Sequence, residues 1–105
     1  MAAASIVQEF ERIYSIVWGS QLGALQFLNS AGVDGTETLS LQAWYDQAAA
    51  QYVDTYTNYT FEQWLGFLQS QQLIVRANDQ VGITLEGREF LKYVLHQGYR
   101  MYKPG

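Results

Sequence analysis

Apolar residues recur at helical spacing along most of this chain, and one short alternating stretch interrupts them. The first run predicts an amphipathic helix over residues 5–18. Its inner face is formed by Ile6, Phe10, Ile13, Tyr14 and Val17. A second register of apolar residues then predicts a break near Gly19 and a new helix capped by Ser20. Gly32 ends this helix, because glycine readily adopts the left-handed conformation found just past a helix.

Two further helices are predicted in the middle of the chain. Ser40 caps a helix over residues 40–54, and loops are expected on either side of it, over residues 33–38 and 55–59. Thr60 and Gln63 have the spacing of a capping box, in which each side chain bonds to the main-chain N–H of the other residue. A helix therefore begins after Thr60 and is expected to run over residues 61–72.

The alternating stretch predicts a β-hairpin. Two runs rich in β-branched residues, 73–76 and 81–85, flank Asn78-Asp79, a pair suited to a tight turn. Thr84 then caps a last helix. The residues predicted to form its buried stripe are Phe90, Leu91, Val94 and Leu95. Beyond Gly98 the tail is expected to fray.

The junction between hairpin and last helix reads Ile83-Thr84-Leu85-Glu86-Gly87-Arg88-Glu89-Phe90-Leu91. It is similar to the apolar-Thr-x-x-Gly-Arg-x-x-Leu segment that follows the wing in bacterial regulators of the MarR and PadR type. This segment and the order of the predicted elements make the chain resemble winged helix-turn-helix proteins. The resemblance implies an α+β, mainly helical fold, a winged-helix-like bundle with a two-stranded β-hairpin wing.

The same resemblance implies a single domain over residues 1–105. It would consist of an N-terminal helix (5–18), a winged core with its closing helix (19–98) and a tail (99–105). The segment 61–72 would be the recognition helix. Helices outside the core commonly mediate dimerisation in these families, and residues 5–17 and 88–102 are the corresponding segments here.

The composition agrees with a compact protein and excludes several kinds of chemical site. Hydrophobic residues make up 49% of the 105 residues and charged residues 15%, which favours one globular domain over disorder. With no cysteine there is neither a disulfide nor a thiolate metal site, which fits a cytoplasmic location. No apolar run approaches the roughly 18 residues of a membrane span, so we expect no membrane partner.

Charge bears directly on the choice of partner. The net charge is −4, yet residues 76–105 hold five bases against three acids. The most basic feature is a row spaced four residues apart, predicted to follow one side of the last helix: Arg88, Lys92, His96 and Arg100. Such a row is either a phosphate-binding stripe or a solvated helix face. Six Lys and Arg residues in total are few for a protein that must neutralise about 6 to 10 phosphates.

The predicted recognition helix also lacks the usual DNA-reading side chains, since it offers one acid, no base and several glutamines. Nucleic acid is thus possible as a partner but disfavoured by charge. The residues that would contact it are Gln63, Gln69, Arg76, Arg88, Lys92 and Arg100. Each has an alternative role: the glutamines as neutral helix formers, and Arg76 as a structural residue at the base of the wing.

Tyrosine is abundant, with eight residues, and it often marks protein interfaces. The interface candidates are Phe10, Tyr14, Tyr56, Tyr59, Tyr99 and Tyr102; core packing is the other interpretation of the tyrosines. No catalytic, cofactor or metal constellation is found, because the single histidine, His96, has no acid beside it at helical spacing. The sequence therefore predicts a non-catalytic interaction module that forms homodimers or binds another protein. The alternative is a small DNA-binding transcriptional regulator that uses the 61–72 helix and the basic row.

Overall fold

The computed structural model describes residues 2–32 and 34–105, with side chains from Ile6 onward, so Met1 and Val33 lie outside the described residues. Within this part the chain is mainly helical, with a small antiparallel sheet. The elements in order are α1 (Ala2–Ile16), α2 (Gly19–Ala31), β1 (Thr36–Glu37), α3 (Thr38–Gln51), α4 (Val53–Tyr56), α5 (Phe61–Ser70), β2 (Ile74–Ala77), β3 (Gln80–Ile83) and α6 (Leu85–His96). The mainly helical α+β class is confirmed. None of the described helices has the length and apolar character needed to cross a membrane.

The predicted break between the first two helices is confirmed, but the cap is different. The main-chain N–H of Trp18 donates to Gln21 Oε1 at 2.9 Å and so starts α2. Ser20, predicted as the cap, is buried instead. Its hydroxyl accepts a hydrogen bond from the indole N–H of Trp64 at 2.9 Å and lies 2.6 Å from the hydroxyl of Tyr56. Ser20 is therefore a buried core residue rather than a cap, because its hydroxyl is the hydrogen-bond partner of Trp64 and Tyr56.

Two predicted caps are confirmed. The main-chain N–H of Gln63 donates to the Thr60 hydroxyl at 3.1 Å, while the N–H of Thr60 donates to Gln63 Oε1 at 2.8 Å. This is the reciprocal pairing expected of a capping box, and it starts α5. Thr84 starts α6 in a similar way, since its hydroxyl accepts from the N–H of Gly87 at 2.9 Å.

The sheet has three strands rather than the two predicted. β2 and β3 form the expected hairpin, with Asn78 in the left-handed conformation at the turn (φ 57°). β1 pairs antiparallel with the other side of β3, which gives the strand order β1-β3-β2. The sequence prediction placed a loop there, because a strand of two residues is too short to show alternation.

The region between α2 and α5 also differs from the prediction. α3 begins at Thr38 rather than after Ser40, and it ends at Gln51 rather than near residue 54. The short helix α4 occupies part of the predicted 55–59 loop. Tyr52 separates α3 from α4, because its backbone (φ −119°, ψ 61°) leaves the helical region.

One hydrophobic core joins all these elements except the short strand β1. Its largest fully buried side chains include Trp64 from α5 and Phe90 from α6. α2 contributes the most fully buried leucines, namely Leu22, Leu25 and Leu28. Gly87 is required at the junction of β3 and α6, because a Cβ there would overlap the carbonyl oxygen of Leu73.

The prediction that the tail frays beyond Gly98 is wrong. Gly98 takes a left-handed conformation (φ 73°) just past the end of α6, and the chain then runs back across the junction of α1 and α2. The N–H groups of Gly19 and Ser20 donate to the carbonyls of Pro104 at 3.2 Å and Gly105 at 3.0 Å. These carbonyls satisfy donors that the first turn of α2 would otherwise leave without main-chain partners.

Candidate interaction surface

Helix α1 lies against α6 through a few side chains only. The ring of Phe10 packs against Phe90 and Tyr93, with both centroid distances 5.5 Å. Ile13, one turn further on, is fully buried. By contrast, the preceding turn of α1 keeps Ile6 and Val7 about half exposed. The first half of α1 thus carries apolar side chains that the rest of the described chain does not cover.

A groove of about 810 Å³ lies between the first half of α1, the end of α5 and the start of α6. Its apolar lining consists of Ile6, Phe10, Ile13, Leu73 and Leu85. A shallower depression of about 550 Å³ shares Ile6 and Phe10 with it and continues along α6 to His96. We call this continuous surface the α1–α6 face and define it by Ile6, Val7, Phe10, Leu85, Glu89, Lys92, Leu95 and His96.

The two most exposed apolar side chains of the α1–α6 face lie near the ends of α6, with Leu85 65% exposed and Leu95 70% exposed. Leu95 was predicted to be buried, and that prediction is wrong. Phe90, Leu91 and Val94 already fill the inner side of α6. Leu95 lies about 100° further round the helix than Val94 and therefore points outward. The spacing of the sequence gives no signal for this exposure, because the four residues fall within an arc of about 140° that one helix face can bury.

Polar contacts anchor the middle of α1. The carboxylate of Glu11 accepts hydrogen bonds from the hydroxyls of Tyr93 and, at 2.6 Å, Tyr99. These two bonds favour the charged form and hold the pKa of Glu11 below its ordinary value. Arg12 joins Glu9 on the same helix to the side chain of Gln71 at the end of α5. The orientation of α1 is thus fixed by side chains distant in sequence.

The tail also contacts the next turn of this helix. The rings of Tyr14 and Tyr99 stack with centroids 4.8 Å apart, and the Tyr14 hydroxyl donates to the carbonyl of Arg100 at 2.9 Å. The Lys103 ammonium lies 4.3 Å from the centre of the Tyr14 ring and donates to the Tyr14 carbonyl. Burial lowers the pKa of Lys103. Residues 99–105 are therefore part of the packed structure around α1.

The predicted interface tyrosines have different environments. Tyr56 is only 6% exposed, and burial raises its pKa, so it offers almost no surface to a partner. It also lies in α4 rather than in a loop. Tyr59 is half-buried, with its ring 4.8 Å from that of Trp18. Tyr14 and Tyr99 largely cover each other, whereas Tyr102 is 87% exposed.

The predicted basic row is shorter than its spacing suggested. α6 ends at His96, and Gly98 then redirects the chain, so Arg100 does not lie on the helix. Lys92 forms an ion pair with Glu89 at 3.7 Å. Arg88 is half-buried and lines, together with Lys92 and Leu95, a cavity of about 320 Å³ between α2 and α6. The predicted row therefore ends at His96 and does not include Arg100.

Helix α5 presents few free polar groups suited to reading DNA. The Gln63 side chain is engaged in the cap of the helix. Glu62 binds Arg76 of β2 at 2.9 Å, and this bond lowers the pKa of Glu62. Arg76 therefore connects the hairpin to α5. Gln69 remains exposed on the outer side of the helix.

In the part of the chain that the structure describes, no three His, Asp or Glu side chains come close enough to hold a metal ion together. Comparisons of the chain with protein-family models, curated proteins and solved structures found no match. The α1–α6 face combines a groove with exposed apolar and charged side chains.

Proposed function

We propose that this protein is a non-catalytic interaction module, built on a winged-helix scaffold, that associates with a second copy of itself through the α1–α6 face. The scaffold is supported by the order α2, β1, α3, α5, β2, β3, α6 and by the sheet order β1-β3-β2. In this arrangement α5 occupies the place of a recognition helix and the β2–β3 hairpin that of a wing. We also propose a cytoplasmic location, which the absence of cysteine suits.

The observation that carries the proposal is the exposure of large apolar side chains on both helices of one face. Ile6 is 52% exposed on α1, and Leu85 and Leu95 are more exposed on α6. Single exposed apolar residues are ordinary on protein surfaces, but contiguous apolar patches mark interaction sites. The groove beside Ile6 and Phe10 adds concave shape to this patch.

A second copy is the partner that this face fits, because the face carries exposed apolar side chains, Leu85 and Leu95, beside a groove with an apolar lining. In a two-fold symmetric dimer the same patch is used on both subunits, so each copy can supply what the other accepts. Stable interfaces bury roughly 800 Å² per partner. Two adjoining helices of 15 and 12 residues are long enough to contribute a surface of that order.

The alternative, a DNA-binding regulator, has weaker support. α5 carries Glu62 and no base, and the nearby Arg76 is already paired with that carboxylate. Phosphate contacts supply most of the affinity of DNA-binding proteins, and they require available cations. Lys92 and Arg88 lie on α6, and Lys92 is paired with Glu89.

Sedimentation equilibrium tests the proposed function. We expect the wild-type chain to form dimers whose dissociation constant changes little with salt, because the contact is mainly apolar. Changing Leu95 to Asp should weaken the dimer at least tenfold. The matched control is Leu39→Asp on α3, since Leu39 is equally exposed (74%) but lies outside the face. A chain that stays monomeric at all concentrations would show the proposal to be wrong.

A further inference from the structure

The outer surface of α6 carries a stripe of four side chains, Leu85, Glu89, Lys92 and His96. They are spaced at four, three and four residues, so they follow one line along an α-helix. All four are exposed, and the Glu89–Lys92 ion pair in the middle is open to solvent, with side chains 49% and 73% exposed. The stripe thus has opposite charges at its centre.

We infer that two copies of this chain pair α6 with α6 in antiparallel orientation, so that Glu89 faces the partner's Lys92. The two-fold axis would pass between residues 89 and 92. This inference rests on the proposed function and adds the register and orientation of the dimer. A parallel arrangement is disfavoured, because it would place Glu89 beside Glu89 and Lys92 beside Lys92.

The spacing of the stripe is what makes this register possible. The intervals of four, three and four read the same in both directions along the helix. An antiparallel copy therefore matches every position of the stripe, with Leu85 opposite the partner's His96 and Glu89 opposite the partner's Lys92. Each dimer gains two such charge pairs, related by symmetry.

The neighbouring charges of α6 are compatible with this pairing. In the same register Glu86 is level with the partner's Leu95, and Arg88 is level with the partner's Tyr93. Glu86 and Arg88 point about 70° to 90° away from the middle of the stripe, so they lie at the edges of the contact. Exchanging the two internal Glu89–Lys92 pairs, one in each copy, for two pairs between copies costs little, since a solvent-exposed pair of this kind contributes little to the stability of the free chain.

Helix α1 would supply the apolar contact area of this dimer. A two-fold rotation between antiparallel helices keeps both copies of α1 on the same side of the paired α6 helices. Ile6 and Phe10, which border the stripe at Glu89, are thereby brought towards the same residues of the partner. The apolar residues would set the affinity, and the charged stripe would set orientation and register.

Charge reversal in the full-length chain tests the register. Glu89→Lys places Lys opposite the partner's Lys92, and Lys92→Glu places Glu opposite the partner's Glu89. Each variant alone should dimerise at least tenfold more weakly than wild type at low salt. An equimolar mixture should restore the dimer, because a mixed pair has both contacts with opposite charges.

Sedimentation with one variant carrying a fluorescent label measures the mixed dimer. The matched control is a mixture of Asp54→Lys and Arg100→Glu, which makes the same charge reversals at exposed positions outside the stripe. This mixture should show no preference for mixed over like pairs. Circular dichroism of each variant should match that of the wild type.

Three results are decisive. Selective pairing of the Glu89→Lys and Lys92→Glu chains supports the antiparallel register. Dimers that form equally well in both single variants and in the mixture overturn the register but leave dimerisation through the α1–α6 face standing. A wild-type chain that does not dimerise overturns the proposed function and, with it, this inference.

Discussion

The carboxylate of Glu11 on α1 accepts a hydrogen bond of 2.6 Å from the hydroxyl of Tyr99, 88 residues further along the chain. Tyr93 of α6 donates to the same carboxylate. One acidic group thus joins the first helix, the last helix and the tail. The ionised carboxylate of Glu11 accepts these bonds more strongly than the neutral carboxyl group, so the stability of this junction depends on pH.

The first prediction concerns that dependence. Hydrogen bonds from Tyr93, which has the larger effect, and from Tyr99 hold the pKa of Glu11 below its ordinary value. A depressed pKa in the folded state contributes stability that is present above the unfolded-state pKa and is lost as pH falls through the folded-state value. Glu11→Gln should therefore lower the melting temperature at neutral pH, and the difference from wild type should shrink below about pH 4.

Thermal melts from pH 3 to pH 7 measure the difference in melting temperature between Glu11→Gln and the wild type. Two Tyr→Phe variants, each lacking one hydroxyl, are measured for comparison. Tyr99→Phe removes a donor to Glu11 and should destabilise the chain at neutral pH. Tyr102→Phe is the control, because Tyr102 is 87% exposed and should leave the melting temperature unchanged. An effect of Glu11→Gln that is constant across this pH range would contradict the prediction.

The second prediction concerns Gly19, where the tail crosses the start of α2. A Cβ at this position would overlap the carbonyl oxygen of Lys103, so Gly19→Ala must displace the tail. We expect a loss of about 1 to 2 kcal/mol in the free energy of unfolding, measured by urea denaturation. Amide exchange in residues 6–17 should also accelerate, because the tail holds Tyr14.

Gly66→Ala is the matched control for this substitution. Gly66 lies within α5, and a Cβ there would meet nothing within 4 Å. Alanine is a better helix former than glycine, so this change should raise the free energy of unfolding by about 0.5 to 1 kcal/mol. If both variants shift stability in the same direction, the tail does not stabilise the chain as described.

The third prediction concerns Ser20, the buried hydroxyl between Trp64 and Tyr56. Ser20→Ala leaves the indole N–H of Trp64 buried without its partner. Such a change costs about 1 to 3 kcal/mol, and urea denaturation should show a loss in this range. Ser15→Ala is the control, since Ser15 is exposed and its bond to the Arg12 carbonyl should contribute less than about 0.5 kcal/mol.

The fourth prediction concerns nucleic acid. In an electrophoretic shift assay at low salt, we expect the wild-type protein not to shift a mixed-sequence DNA duplex, because Arg76 is paired with Glu62 and Lys92 with Glu89. Glu62→Gln frees Arg76 without adding a cation. A weak shift of the duplex by this variant alone would show that the Glu62–Arg76 ion pair prevents DNA binding. Saturable binding by the wild type that Arg88→Ala abolishes would favour the DNA-binding alternative instead.

Local signals in the sequence predicted most of the helices and the hairpin. Thr60 and Thr84 mark the starts of α5 and α6 because a cap needs only residues within one turn. β1 and α4 gave no such signal, since two and four residues are too few to show a period. Tyr52 also interrupts a helical pattern, although tyrosine is not a typical helix-breaking residue. The interruption lies in its backbone conformation.

The candidate surface was predicted less completely than the fold. The first and last helices were predicted as dimerisation segments, and both contribute side chains to the α1–α6 face, Phe10 among them. The exposure of Leu85 and Leu95 depends on which of several apolar residues the neighbouring helices cover. Tertiary packing decides which of these residues are covered, so the apolar pattern of the sequence alone could not predict their exposure.

The anchoring of α1 by Tyr93, Tyr99 and Lys103 has a consequence for biosynthesis. These partners lie 82 to 89 residues after the groups on α1 that they bind, so they leave the ribosome well after α1. Helix α1 can therefore reach its final position only after the residues up to Lys103 have been synthesised. Until then Phe10 lacks its contacts with the aromatic rings of α6, and a chaperone that binds apolar segments could reach it.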